Sequence, residues 1–161
     1  MNLNESSPVL RKIIADAQDY FDLVERLSKA PTFNAADYKD AYARLNRVRN
    51  RYEDEKTDLL PSERQALEKV FDNDRFMECM MSIRQVADHR VHRTGASVPL
   101  LTRASLPLSA QTSAGSVFAD RRVPFPNPLT KEVVFIDHLD LLRQSEQILR
   151  KGLLRALIPP S

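Results

Sequence analysis

The sequence predicts a mainly α protein, a four- or five-helix bundle with an inserted extended or β-hairpin arm before the last helix. Three observations lead there. Apolar residues recur at three- and four-residue spacing through most of the chain, helix-start signatures precede several of those runs, and one long proline-containing stretch breaks the pattern. With 161 residues, 42% of them hydrophobic and 29% charged, the chain fits a single domain spanning 1–161 with a core of ordinary size.

Ser6 and Ser7 before Pro8 start the first helix, because a hydroxyl accepts from free amides and proline tolerates the first turn. Leu10, Ile13, Ile14, Ala17, Tyr20, Phe21, Val24 and Leu27 give it one buried face to about Lys29, and Pro31 helps end it. Asn34 caps a second helix whose stripe is Tyr38, Ala41, Tyr42, Leu45, Val48 and Tyr52, ending near Lys56. Ser62-Glu63-Arg64-Gln65 has capping-box spacing and predicts that the third helix opens at Ser62. Asp72-Asn73-Asp74 are poor interior residues, so this helix breaks there and restarts with Phe76, carrying Met77, Met80, Ile83, Ala87 and Val91 toward Gly95.

From 95 to 130 the pattern stops: this stretch holds five prolines and four charged residues. Ser97–Thr102 and Ser116–Phe125 would pair across a turn at Ser109–Gly115, with Pro99, Pro107 and Pro124 confining them to edges. Two strands alone are marginal, so they must lie on the bundle or meet another chain. Val117, Phe118, Val123 and Phe125 are the arm's candidate contacts, either with a second chain or with the bundle itself. Val133-Val134-Phe135-Ile136 is too short to assign by period and fits a strand or a first helical turn. Asp137 then caps a final helix carrying Leu139, Leu142, Ser145, Ile148, Leu149, Gly152, Leu153 and Ala156.

Several function classes lose support at this stage. The net charge of +2 is too small to serve as a nucleic-acid footprint by itself. No run approaches the roughly 20 apolar residues that span a bilayer, and Met1–Ser7 does not resemble a signal peptide, so the expectation is a cytoplasmic protein with no membrane role. Glycine-rich phosphate loops and nucleophile elbows are absent from the sequence. Cys79 sits among Met77, Met80 and Met81, where a small buried hydrophobe is expected rather than a nucleophile. Asp88 with His92, and Asp137 with His138, are acid-imidazole pairs, but no third ligand is identifiable by spacing and neither a metal nor a cofactor is expected. His138 reads as a polar residue at a helix start.

The densest polar cluster is Arg84, Gln85, Asp88, His89, Arg90, His92 and Arg93. On a helix Arg84, Asp88 and His92 share one row, and Gln85, His89 and Arg93 the next. That arrangement suits acid-base work and equally suits an ordinary salt-bridge ladder with a histidine near a helix C-terminus. Arg84-Gln85-Val86-Ala87-Asp88-His89 also resembles the R-x4-H motif of HEPN-type helical ribonucleases, over six residues in a helical setting. The resemblance implies a metal-independent nuclease in which Arg84 stabilises phosphate and His89 moves a proton at the ribose hydroxyl, with RNA as partner. Gln85 departs from the family's usual Asn, Asp or His after the arginine. A second basic feature, Arg44, Arg47 and Arg51 on one helical face, has the form of a row of phosphate contacts, although Glu53, Asp54, Glu55 and Asp58 follow it and favour internal ion pairs. The favoured expectation is a small interaction or assembly protein with a protein partner or a homo-oligomeric state; the ribonuclease is the alternative.

Overall fold

The computed structural model describes residues 6–80, 122–126 and 132–158. In chain order these form helix α1 (Pro8–Lys29), α2 (Ala35–Glu55), α3 (Pro61–Phe71), a helix α4 that begins at 75 and is described to 80, strands β1 (Arg122–Pro126) and β2 (Val133–Asp137), and helix α5 (His138–Leu157). The protein is mainly helical, with a two-stranded antiparallel hairpin directly before the last helix, as the sequence predicts.

Helix α1 starts where its cap is strongest. Ser7 Oγ accepts from the Leu10 amide at 3.1 Å, and Pro8 occupies the first turn, where a missing donor costs nothing. Asn34 caps α2 through Oδ1, which accepts from the Ala36 amide at 2.9 Å. Helix α2 ends at Glu55 and the chain tightens into a 3-10 turn at Lys56–Asp58. The two helices run antiparallel, stitched by Lys12 to Glu55, Asp16 to Arg51 and the Asp19 carbonyl to Arg44. Their facing stripes bury Leu10, Ile13, Ala17, Tyr20 and Val24 against Tyr38, Ala41, Leu45, Val48 and Tyr52.

The start of α3 departs from expectation. The helix begins at Pro61, one residue before Ser62, and its cap position is Leu60, which has no side-chain acceptor. Glu63, rather than the expected pair of Ser62 and Gln65, supplies the cap. Glu63 is 2% exposed, and its carboxylate accepts from the Leu60 amide (2.9 Å), the Ser7 amide (3.0 Å) and Ser7 Oγ (2.6 Å). A single buried carboxylate therefore joins the first turns of α1 and α3, where two helix dipoles favour negative charge. The break after α3 falls where the acidic triplet predicts: Asp72 and Asn73 amides return to the Glu68 carbonyl, and Asp74 Oδ1 receives the Met77 amide at the start of α4. Tyr52 fixes this corner, stacking on Phe71 with ring centroids 5.1 Å apart and donating to Asp72 Oδ2 at 2.8 Å.

Helix α5 lies against α1 and α3. Tyr20 Oη donates to the Leu142 carbonyl at 2.7 Å, and Gly152 meets Val70 so closely that a Cβ at this glycine would overlap the valine's Cγ2. Ser62 and Ala66 lie beside Ile158 while Val70 meets Gly152, so α3 and α5 run antiparallel. The buried side chains of all these elements form one cluster.

The hairpin differs from the expected pairing of Ser97–Thr102 with Ser116–Phe125. Arg122–Pro126 pairs with Val133–Asp137, in the register Val123 to Ile136 and Phe125 to Val134; Ser97–Thr102 and most of the expected second strand lie outside the described residues. The ambiguous Val133–Ile136 run is a strand because it can pair with β1 before Asp137 starts the helix. Pro124 and Pro126 have no amides, so the hydrogen-bonded positions of β1 fall on Val123 and Phe125. Both side chains are buried in the chain's own core, with Phe125 against Phe76 at 5.3 Å between centroids.

Replacing Glu63 with Ala removes three hydrogen bonds and orphans the donors around it. We expect a loss of about 3 kcal/mol in urea unfolding, against less than about 0.5 kcal/mol for Glu68→Ala, whose partner Arg64 is on the surface. Equal effects would contradict the junction's role.

Candidate functional site

The residues singled out from the sequence fall into three groups. Arg84, Asp88, His89 and His92 lie outside the described residues, as do Val117 and Phe118. Val123 and Phe125 are 0% and 1% exposed, so these two arm residues contact the bundle in cis rather than a partner. Arg44, Arg47 and Arg51 are on α2, and two of the three are engaged. Arg44 bonds the Asp19 carbonyl at 3.0 Å and Asp40 at 3.1 Å. Arg51 is held by Asp16 at 2.6 Å and by Glu55 at 2.8 Å. The hydrogen bond that Arg51 donates to Asp16, then the one it donates to Glu55, raises the Arg51 pKa, and the latter contact lowers that of Glu55. Carboxylates thus occupy donors that phosphates would need, which leaves Arg47 as the exposed member of the row.

Cys79 is buried, and desolvation pushes its thiol up to about 12, so a thiolate nucleophile is not favoured there. Among the described residues no group of three His, Cys, Asp or Glu gathers as a metal site, and no helix is long and apolar enough to cross a membrane.

Sequence reasoning missed the centre formed by His138 and Tyr42. Asp137 caps α5 by accepting from the Leu139 amide at 2.9 Å, which turns His138 inward at the first helical position. Its ring is 0% exposed, its Nδ1 lies 2.7 Å from Tyr42 Oη, and Tyr42, Tyr38 and Phe33 surround it with centroids 5.5, 5.9 and 6.2 Å away. Burial holds the phenol of Tyr42 well above the ordinary tyrosine pKa, and Tyr20 and Tyr52 are raised chiefly for the same reason. This is a satisfied polar contact sealed by aromatic rings, which suits positioning the hairpin-to-helix junction. The signal was present in the sequence only as a tyrosine on an apolar stripe and a histidine after a cap.

The surface counterpart lies on the hairpin. Val133, Val134 and Phe135 are 37%, 40% and 60% exposed, three large apolar side chains in succession on β2. Since Val134 and Ile136 make the ladder to β1, the amides of Val133 and Phe135 point to the opposite edge. Among the described residues no strand pairs there. The outer edge of β1 is different, because Pro124 and Pro126 remove the donors it would offer. Among the described residues the sheet therefore has one blunted edge and one open edge.

No family model, no curated protein and no solved structure matches the chain.

Two outcomes follow for the aromatic centre. Tyr42→Phe leaves His138 Nδ1 without this partner and should cost about 1–3 kcal/mol in denaturant unfolding. Buried tyrosines keep their protons in the folded protein and lose them in the unfolded chain, so stabilisation present below about pH 10 disappears as pH rises. Circular dichroism should therefore show cooperative unfolding above that pH, with tyrosinate absorbance appearing in the same transition; tyrosinate absorbance rising well before the helix signal falls would contradict the burial.

Proposed function

We propose that this chain is a small interaction and assembly protein that pairs with a second copy of itself along the outer edge of β2. The carrying observation is that open edge, flanked by exposed Phe135. A two-fold axis at Phe135 sets Phe135 on its own copy and Val134 opposite Ile136, so apolar residues meet at the three central positions. Asp137 then faces Val133 rather than another carboxylate. The prolines of β1 support closure: the pairing ends at a four-stranded sheet instead of propagating into a fibre.

Magnitude sets the kind of assembly. Five residues of strand reach about 17 Å, too short an edge by itself to bury the roughly 800 Å² per partner of a standard stable interface. A dimer built mainly on β2 is therefore weak and concentration-dependent, in the micromolar range or above.

Light scattering over a concentration series should show a monomer–dimer equilibrium, weakened at least about tenfold by Phe135→Lys, which sets like charges together at the axis. Val133→Pro should act likewise while sparing the β1 ladder, because that amide points outward. A monomer at every concentration, or dimerisation unchanged in both variants, would contradict the reading. RNA degradation in the same fractions, abolished by Arg84→Ala, would replace it with the ribonuclease alternative.

A further inference from the structure

A second feature lies on another surface. Between α3 and the C-terminal end of α5 is a cleft of about 330 Å³ lined by Ser62, Gln65, Ala66, Lys69, Arg155 and Ile158. The α3 residues are spaced three, four and seven apart and so share one helical face, with Arg155 and Ile158 opposite them. Close approach at Gly152 and Val70 fixes the two walls.

Charge in the cleft is one-sided. On the same helices Arg64 has Glu68 beside it and Arg150 has Glu146, whereas Arg143 and Lys151, like the cleft's own cations, have no ion pair among the described residues. Lys69 and Arg155 have no ion pair or hydrogen bond among the described residues, and α5 carries no acidic residue from Gln147 to Ile158. The carboxylate of Glu63 is bonded to Ser7 and Leu60 instead. Each cation, taken singly, is accounted for by its place in the last turn of its helix. Their meeting in one cleft with a hydroxyl, an amide side chain and apolar Ala66 and Ile158 is not.

We propose that this cleft binds a small organic oxyanion, a phosphate monoester or carboxylate carrying a compact apolar group. Lys69 and Arg155 hold the anion, Ser62 and Gln65 donate hydrogen bonds to it, and the apolar group rests on Ala66 and Ile158. The volume is near the lower end of the range for ligand sites, which restricts the ligand to a compact body.

The test is titration with phenyl phosphate, benzoate and inorganic phosphate, followed by the methyl resonances of Ala66 and Ile158. Saturable shifts are expected with at least one organic anion, weakened about tenfold by Lys69→Gln and again by Arg155→Gln, with Lys69→Arg retaining binding. Tighter phenyl phosphate assigns the site to phosphate monoesters, and tighter benzoate to carboxylates. Absence of saturation with both, or unchanged shifts in the Lys69→Gln, Arg155→Gln double variant, would overturn the proposal. Inorganic phosphate binding as tightly as phenyl phosphate would overturn the part assigned to the apolar wall. Both substituted side chains are exposed, so unchanged thermal unfolding separates lost binding from lost fold.

Discussion

The pairing of β1 with β2 is the constraint on which the rest of the molecule's distinctive features depend. Its register turns Val123 and Phe125 into the core and brings Phe125 onto Phe76. It delivers Asp137 to the start of α5, where the carboxylate caps the helix and His138 is turned toward Tyr42. A one-residue slip would reverse every side chain, exposing Phe125 and burying Arg122. The hairpin is therefore held by the bundle, and the bundle's last helix is positioned by the hairpin.

The same register decides what the surface offers. Prolines at alternate positions spare the ladder on one side of β1 and blunt the other, while β2 keeps its outward amides at Val133 and Phe135. A sheet with one usable edge is suited to a closed pair. Basic surface on α2 is less available, since Arg44 and Arg51 spend their donors stitching α2 to α1. The basic groups of the cleft differ because no carboxylate among the described residues is set against them.

Much of the helical framework was legible because local chemistry dictated it. Ser7 with Pro8, Asn34, the acidic triplet after Phe71 and Asp137 each punctuate the chain through backbone amides a few residues away, and the structure uses all four. Legibility failed where partners are distant in sequence. The sequence places the capping box of α3 between Ser62 and Gln65, but the carboxylate that caps this helix is Glu63, and its other partner is Ser7, 56 residues away. Tyr42 and His138 are 96 residues apart, and neither period nor spacing links them. Val133–Ile136 could not be assigned because a short apolar run becomes a strand only when another strand is available, and that is a tertiary fact. Val123 and Phe125 were recognised as contact residues, while the side on which they make contact depended on the register.

The most direct test is amide hydrogen exchange along β2 at low and high protein concentration. In dilute protein the Val133 and Phe135 amides should exchange freely while those of Val134 and Ile136 are protected by β1, and raising the concentration should protect Phe135 as the edge becomes paired. Protection of Val134 and Ile136 that is absent, or protection of Phe135 that does not depend on concentration, would contradict the register and the open edge on which the account rests.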